Sequence, residues 1–276
     1  RRAYDLLNRK GFLSFISTNT ISQGDTREGS LENILQNGGL INFATRSIKW
    51  PGIAAVYVSL ISISKEKRKI KILLNNNQTD YISSYLEDFN VASPNKIYSN
   101  RKKCFLGSGP VGDGFLRELP EGEKLLLDRN NFNIVKKYMN GEDLFQNPDQ
   151  KPSRYCIYFY DWPIEKANKY SECFNIIEKD VKPEREKNND KHRREFWWQF
   201  SRPTVELYET INSKKLDRVI VHARVSKTHA MVFVGSDIVF SDATVVFVYS
   251  DFFNWSILQS SIHEEWAWRF SSSLKR

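Results

Sequence analysis

The sequence contains little cysteine and no long apolar run. Its three cysteines, Cys104, Cys156 and Cys173, are widely spaced and form no C-x-x-C pair, which argues against a disulfide scaffold and against a zinc–cysteine site. The longest apolar run, residues 53–63, spans eleven residues, whereas a membrane-spanning helix needs about 20. We therefore expect a protein of the reducing cytoplasm that has no membrane partner.

The first residues also lack the features of an exported protein. No apolar segment follows residues 1–5, so we expect no signal peptide. No methionine stands at the first position, and we therefore expect the chain to be a piece of a longer protein.

Basic residues outnumber acidic ones. The 41 lysines and arginines exceed the 33 aspartates and glutamates, which gives a net charge of +8, and such an excess favours a polyanionic partner. A hydrophobic fraction of 40% and a charged fraction of 27% are typical of a soluble globular protein and exclude a disordered or collagen-like chain. The length of 276 residues predicts one large domain or two smaller ones.

The first 64 residues alternate between helical and strand-like patterns. Apolar spacing predicts helices over 2–8 and 31–36, strands over 12–17, 40–46 and 54–62, and a polar loop over 19–27. This order is typical of one end of an α/β sheet. The composition then changes to a basic run, residues 65–71, and a polar stretch, so we expect a connector over 65–103.

The pattern from residue 104 onward predicts a mixed α+β region. Strands are expected over 155–160, 219–225, 230–234 and 244–249, and helices over 164–170, 174–181 and 204–211. A C-terminal helix with one apolar face is predicted by residues that recur at helical spacing, namely Trp255, Leu258, Ile262, Trp266 and Phe270.

A basic segment followed by aromatic residues is a candidate contact to nucleic acid. In residues 182–194 six lysines and arginines are interleaved with acidic residues, and Phe196, Trp197 and Trp198 follow. Cations neutralise phosphates, while the aromatic rings either stack on bases or anchor the segment in the core. The segment is interrupted by Pro183 and looks too mobile for base readout. We predict contacts to the DNA backbone from Lys182, Arg185, Lys191, Arg193 and Arg194.

The turn between the strands predicted over 219–225 and 230–234 is the candidate for base readout. A short, rigid hairpin tip aims its side chains, and long donors such as arginine and lysine read base edges in the major groove. A plain hairpin turn is the alternative. The predicted readout residues are Arg224, Ser226, Lys227, Thr228 and His229.

Three further motifs have weaker functional interpretations. Residues 107–112 match G-x-G-x-x-G, but Pro110 lies inside the motif, so a glycine-rich turn is favoured over a nucleotide loop. Glu142, Asp143 and Asp149 are candidate ligands of a metal-dependent nuclease, with solvated turn residues as the alternative. His263 is followed by two glutamates but by no second histidine, which argues against zinc.

Nine phrases, in order along nearly the whole chain, carry a family resemblance. The sequence resembles the C-terminal half of MmeI-like type IIG restriction–modification enzymes and their adenine-specific DNA methyltransferase relatives. The phrases are FISTNTISQG at 15–24, FATRSIKWPG at 43–52, YMNGEDL at 138–144, NPDQKPSRY at 147–155, FYDWP at 159–163, VKPER at 181–185, WWQF at 197–200, RVSKTHA at 224–230 and LQSSIHEEW at 258–266.

The resemblance implies how the chain is organised. Residues 1–64 would be the C-terminal part of a methyltransferase domain that uses S-adenosylmethionine and has a Rossmann-like sheet. Residues 65–103 would be a basic, polar connector, and residues 104–276 a DNA target-recognition domain. The family's pattern continues beyond residues 272–275, so we expect the C-terminus to be cut as well.

Two motifs of the resembled family are absent from the sequence. Its glycine-rich cofactor phrase is missing, and so is its catalytic Pro-Pro motif, since no two prolines are adjacent. We therefore expect no catalytic residue, no metal and no bound cofactor in this chain, which would be inactive alone. The resemblance implies an aromatic residue that stacks on a flipped adenine. Trp50 is the candidate, and a core tryptophan before a Pro-Gly turn is the alternative.

The leading interpretation is therefore the DNA-recognition portion of an adenine-specific DNA methyltransferase that methylates adenine in a short duplex site. The parent protein would use S-adenosylmethionine and would bind double-stranded DNA, and an added endonuclease activity is left open. We expect a monomer. The alternatives are a free-standing nucleic-acid-binding module and a metal-dependent nuclease.

Overall fold

The computed structural model describes residues 1–66, 70–92 and 94–271. Two compact units are present: Arg1–Asn95 with Glu264–Arg276, and Lys96–His263. The central part of the predicted basic run, residues 67–69, lies outside the described residues. Within the described parts, no helix is both long enough and apolar enough to cross a bilayer.

The first unit is built on one five-stranded sheet. Its strands lie in the order β1-β3-β2-β4-β5, and all neighbours are antiparallel except β2 and β4. The strands are β1 (Phe12–Thr18), β2 (Leu40–Lys49), β3 (Tyr57–Ser64), β4 (Ile72–Leu74) and β5 (Asn77–Thr79). The helices are α1 (Arg2–Leu6), α2 (Gly24–Arg27) and α3 (Asn33–Gln36), with a 3-10 turn at Asn19–Ser22 and a π turn at Glu28–Glu32.

The helical segment before β2 covers the apolar side of this sheet. Leu31 and Ile34 project from it into a core that also contains Ile61 and Ile63 of β3. In β1 exposed and half-buried residues alternate, because successive side chains of a strand point to opposite faces. The sequence predicts a short buried strand over 12–17: the strand is confirmed, but its predicted burial is wrong, because Phe12 and Ile16 are exposed. The strand predicted over 54–62 is displaced, since β3 covers Tyr57–Ser64.

The loop predicted over 19–27 is wrong, because this segment is helical. Not all of its polar residues face solvent: Asn19 and Arg27 are buried, whereas Asp25 and Thr26 are exposed. The Arg27 guanidinium donates to Glu32 Oε2 at 2.7 Å and to Ser84 Oγ at 2.8 Å. A buried charge is stable only when it is paired. The two partners of Arg27 could be identified only from the folded chain.

The connector predicted over 65–103 contributes to the first unit, which extends to Asn95. Strands β4 and β5 form a hairpin in this segment, and Ile82 and Leu86 are 1% and 0% exposed in the core. The two turn residues, Asn75 and Asn76, have φ of 50° and 68°. Asparagine tolerates this left-handed conformation, and tight hairpins require it. The consecutive asparagines after the short apolar run of β4 are the signal in the sequence for this turn.

The second unit contains two four-stranded sheets, ordered β11-β10-β13-β6 and β12-β8-β9-β7. The strands are β6 (Cys104–Leu106), β7 (Leu116–Glu118), β8 (Val135–Met139), β9 (Arg154–Ile157), β10 (Arg218–Ala223), β11 (Val232–Gly235), β12 (Ile238–Phe240) and β13 (Thr244–Phe247). The helices are α4 (Leu119–Leu125), α5 (Gly141–Gln146), α6 (Ile164–Ala167), α7 (Ser171–Asp180), α8 (Lys182–Glu186), α9 (Lys191–Glu195), α10 (Val205–Ser213) and α11 (Phe252–Leu258). Short 3-10 turns lie at Tyr98–Asn100, Asp113–Phe115 and Arg129–Asn133.

The chain crosses between the two sheets of this unit. After β11 it enters the second sheet, where β12 pairs with β8 in parallel, and it then returns to the first sheet as β13. One core packs helix α7 and the aromatic segment around Trp197 against β8 and β9. A second core packs α10 against β10. The predicted α/β region followed by a mixed α+β region is confirmed.

The single C-terminal helix predicted through Trp255 and Phe270 is wrong, because two helices occupy this stretch. Helix α11 ends at Leu258 and α12 covers Ser261–Phe270. The hydroxyl of Ser260 accepts a hydrogen bond from the main-chain N–H of His263 at 3.2 Å, as a helix N-cap does. The predicted apolar face is not buried, since Ile262 and Trp266 are 82% and 51% exposed.

Candidate nucleic-acid interface

The residues predicted to read bases lie in a loop between two paired strands. Strands β10 and β11 are antiparallel, with Val221 opposite Val232 as their last pair. We call residues 224–231 the β10–β11 loop. It is longer than the predicted hairpin tip, but Arg224 N donates to Ala243 O at 2.8 Å, so the first residue is fixed to the turn that precedes β13.

The tip of the β10–β11 loop is a compact turn with an exposed outer surface. The Ser226 hydroxyl accepts from Thr228 N at 2.9 Å and donates to Thr228 O at 2.7 Å. This local bonding is typical of serine in turns. Arg224, Lys227 and Thr228 are exposed. Their side chains are therefore the ones in this loop that reach a bound molecule most directly.

His229 is committed to contacts within the protein rather than to the solvent-facing tip. Its Nε2 lies 2.8 Å from Leu258 O. Its ring centroid lies 5.5 Å from that of His222 and 5.0 Å from that of His263. Ser226 also uses its hydroxyl within the turn. These two predicted readout residues therefore shape the loop, whereas the other three face outward.

Residues 182–194, predicted as a mobile run, form two short helices, α8 and α9. Pro183 lies in the first turn of α8, where its missing N–H costs nothing. The Asp190 carboxylate accepts from His192 N at 3.0 Å and caps α9. These two helices were not predicted from the sequence, although residues of the segment itself provide both helix starts.

Several cations of this segment are paired with nearby carboxylates. The Lys182–Glu178, Lys191–Glu195 and Arg193–Asp190 pairs have N···O distances of 2.8, 3.6 and 3.4 Å. Arg194 donates to Asn188 O at 2.5 Å. Exposed ion pairs contribute only about 0–1 kcal/mol, so a phosphate competes for these cations at small cost.

Arg185 must be removed from the predicted backbone contacts, because it is 2% exposed. Its Nη2 donates to Pro110 O at 2.5 Å and to Val111 O at 3.1 Å, and its guanidinium lies 5.4 Å from the centre of the Phe115 ring. Burial lowers the pKa of this guanidinium from its usual value. Arg185 therefore holds the glycine-rich turn and does not face a phosphate.

The aromatic residues after α9 anchor it in the core. Trp197 and Trp198 are 7% and 6% exposed, and Trp198 Nε1 donates to Trp162 O at 2.8 Å. Indoles buried to this extent cannot stack on a base. The interpretation that these aromatic residues anchor the segment in the core is therefore confirmed.

Trp50 lies in the loop that joins β2 and β3 in the first unit. Residues 50–56 are all exposed, and Trp50 N donates to Val56 O at 2.9 Å across the loop. The indole lies against Gly52, where an added Cβ would be 2.6 Å from Nε1. Trp50 is 38% exposed, so the alternative of a core tryptophan is wrong.

The carboxylates proposed for a nuclease do not converge. Asp143 is 5% exposed and forms a capping box with Asn140, accepting from Asn140 N at 2.8 Å. Asp149 instead pairs with Lys151 at 2.9 Å. In residues 1–66, 70–92 and 94–271, no group of three or more histidine, cysteine or acidic side chains is arranged to hold a metal ion.

The glycine-rich motif at 107–112 is a packing motif. A Cβ on Gly107 would lie 2.1 Å from Ser241 O and 2.5 Å from Phe240 O. Gly112 has φ of +121°, which favours glycine. Because main-chain atoms fill the space beside Gly107, the motif offers no room for a phosphate there.

Cys156 and Cys173 do not supply a reactive or ligating thiolate. All three cysteines are unpaired, and Cys156 and Cys173 are both 0% exposed. Burial raises the pKa of the Cys156 thiol and raises that of Cys173 to about 12. A thiol with so high a pKa is protonated at neutral pH and is a poor nucleophile.

A polar cleft in the first unit was not predicted. It has a volume of about 330 Å³ and lies beside the β4–β5 hairpin. Arg46 and Glu87 form an ion pair of 3.1 Å at its wall, and Glu87 also pairs with Arg269. These arginines lower the pKa of the Glu87 carboxyl, although its burial acts in the opposite direction.

The comparisons with known proteins point to one family. The model of the MmeI target recognition domain matches residues 86–276, and that of the MmeI DNA-methyltransferase domain matches residues 2–75. DNA methyltransferase A of Bacillus subtilis (strain 168) is 26% identical to this chain over an alignment of 285 residues. The alignment covers 95% of this chain and 31% of that protein.

A solved structure of the type IIL restriction-modification enzyme MmeI in complex with DNA has a similar fold. The TM-score is 0.71 at 20% identity, and the match covers 97% of this chain and 37% of that chain. The chain thus spans about a third of the length of these relatives. Because the family model of the MmeI target recognition domain matches more than half of the residues of this chain, the chain belongs to the MmeI target recognition domain family.

Proposed function

We propose that this chain is the DNA-recognition portion of a restriction–modification enzyme that methylates adenine in a short duplex site. The observation that carries the proposal is the exposed tip of the β10–β11 loop, where Arg224, Lys227 and Thr228 face outward from a loop fixed to paired strands. Rigidly held donors discriminate base edges, and a good bidentate contact contributes about 1–3 kcal/mol.

Helices α8 and α9 are proposed to contact the phosphate backbone. Lys182, Lys191, Arg193 and Arg194 remain after Arg185 is removed, and their surface ion pairs are weak enough to exchange for phosphates. Such contacts add affinity without sequence information. The net charge of +8 supports a polyanionic partner.

Trp50 is proposed to stack on the flipped adenine. Adenine methylation requires the target base outside the duplex, and an aromatic ring with an exposed face stabilises an unstacked base by about 1–3 kcal/mol. The 38% exposure of Trp50 and the exposed loop around it support this role.

The methyl donor, S-adenosylmethionine, is assigned to the rest of the parent protein. The glycine-rich turn at 107–112 does not fit it, because main-chain atoms fill the space beside Gly107. The methyltransferase relative supports use of this cofactor by the parent, in which this chain would bind and orient DNA. We also propose that the parent is cytoplasmic and that the isolated chain is inactive.

The test expresses the gene that contains this chain in a host that lacks adenine methylation and maps its methylated bases. We expect one short motif with methylated adenine. Lys227→Ala should change or relax one base of that motif, whereas Lys169→Ala, a matched change at another exposed lysine of the second unit, should leave it intact. Methylated cytosine, or no motif, would refute the proposal.

A further inference from the structure

The β10–β11 loop is hydrogen-bonded to the turn between α11 and α12. Gln259, in this turn, donates from Nε2 to His229 O at 2.8 Å and accepts at Oε1 from Met231 N at 2.7 Å. Its side-chain amide therefore pairs with two main-chain groups two residues apart, as a neighbouring strand would. Strand β11, which follows directly, is at the edge of its sheet.

Ring N–H groups add further contacts at the same place. The Trp255 indole donates to Met231 O at 2.8 Å, and His222 Nδ1 lies 3.0 Å from Ala230 O. His229 Nε2 and His263 Nδ1 lie 2.8 and 2.7 Å from Leu258 O. Carbonyls at a helix C-terminus have no partner within the helix, and here two imidazoles occupy one of them.

These contacts divide the loop into a fixed base and an outward tip. Main-chain groups of residues 229–231 bond to Gln259, Trp255 and His222. The tip contains the Ser226–Thr228 turn and the exposed Lys227. The direction of the tip is therefore set by its base. Recognition of a base edge requires side chains held within about 0.5 Å of the productive geometry.

We infer that Gln259 is a positioning residue for base recognition: it aims the 224–228 tip without touching DNA. The inference rests on the proposed function of the loop. It also gives a physical role to the phrase 224–230 and to residues 258–263 of the phrase 258–266, because hydrogen bonds join these two segments within the second unit.

The first test measures amide hydrogen exchange in the 276-residue chain without DNA. Gln259→Met keeps the length of the side chain and removes both hydrogen bonds, so amides of residues 229–231 should exchange about fivefold faster or more. Gln259→Glu keeps the acceptor for Met231 N but places a carboxylate against His229 O, and its effect should be smaller at Met231. Gln146→Met, at an exposed site on α5, is the matched control.

The second test compares binding to a duplex carrying the mapped motif with binding to the same duplex carrying one mismatch. Gln259→Met should lower the ratio of the two affinities about tenfold and leave the affinity for the mismatched duplex unchanged. A merely structural residue would weaken both duplexes alike. Gln259→Glu should retain part of the discrimination.

The outcomes separate this inference from the proposed function. If the amides of residues 229–231 exchange in Gln259→Met at the wild-type rate, Gln259 does not fix the base of the loop. If they exchange faster but the ratio of the two duplex affinities is unchanged, the positioning role is overturned. If the wild-type chain recognises no motif, the proposed function fails, and the exchange result still decides whether Gln259 fixes the loop. Should Gln259→Met not fold, Gln259→Glu provides both measurements.

Discussion

The salt dependence of DNA binding gives a quantitative test of the α8–α9 surface. Each phosphate contact on duplex DNA contributes a slope of about −0.9 to log K against log salt concentration. The surface offers Lys182, Lys191, Arg193 and Arg194, because Arg185 is buried. Four contacts predict a loss of affinity of roughly 150-fold between about 50 and about 200 mM salt.

Arg194→Ala isolates one of these contacts. Its side chain bonds to the main-chain oxygen of Asn188 at 2.5 Å, so removing it leaves the neighbouring Lys191–Glu195 and Arg193–Asp190 ion pairs intact. With three contacts left, the loss of affinity over the same salt range should be roughly 40-fold. The difference from wild type, a factor of about 3.5, exceeds the error of a careful titration.

The assay is fluorescence anisotropy of a labelled duplex of unrelated sequence, titrated with the 276-residue chain at several salt concentrations. Arg129→Ala is the control, because Arg129 is an exposed arginine of the same unit outside the proposed surface. Its slope should equal that of wild type. The reasoning is refuted if Arg194→Ala keeps the wild-type slope, or if both variants lower it equally.

Three further predictions concern other parts of the molecule. Trp50→Ala should slow methylation by the parent enzyme roughly tenfold, since stacking contributes about 1–3 kcal/mol, and Trp50→Phe should restore most of the rate. Equal single-turnover rates for Trp50→Ala and the wild-type enzyme would contradict this. Burial lowers the pKa of His222, although its hydrogen bond to Ala230 acts in the opposite direction, so the unfolded state binds more protons and stability should fall as pH drops below about 6.5. Urea titrations should show a weaker pH dependence for His222→Asn than for wild type, and an equal pH dependence would contradict the argument. Gly107→Ala would place a Cβ 2.1 Å from a main-chain oxygen and should lower the free energy of unfolding by about 3 kcal/mol or more. Gly29→Ala, with open space around the added Cβ, should not lower it, and thermal melts that rank the two variants in the opposite order would show this packing argument to be wrong.

Local patterns in the sequence were sufficient to predict several of the strands. The short apolar run in Phe12–Thr18 and the β-branched run in Arg218–Ala223 predicted strands because such a run is a property of the segment itself. The family resemblance likewise depended only on short phrases and their order along the chain. The matching family models confirm it.

The state of individual polar residues was decided by tertiary contacts. Arg185 reads as one more cation of a basic run, yet it is buried by bonds to Pro110 and Val111 about 75 residues earlier in the chain. Arg27 is buried by Ser84, which lies 57 positions away. Charge patterning describes a segment and contains no information on which distant carbonyl or hydroxyl will meet a given side chain.

The candidate site shows the same division. The sequence alone placed donors between two strands, and three of the five predicted readout residues, Arg224, Lys227 and Thr228, face solvent. Only the folded chain turned His229 toward Leu258 and brought Gln259 against the loop. Gln259 lies 28 and 30 residues from its two partners. Hydrogen bonds over such separations form only when the whole unit packs, which no local window of sequence can express.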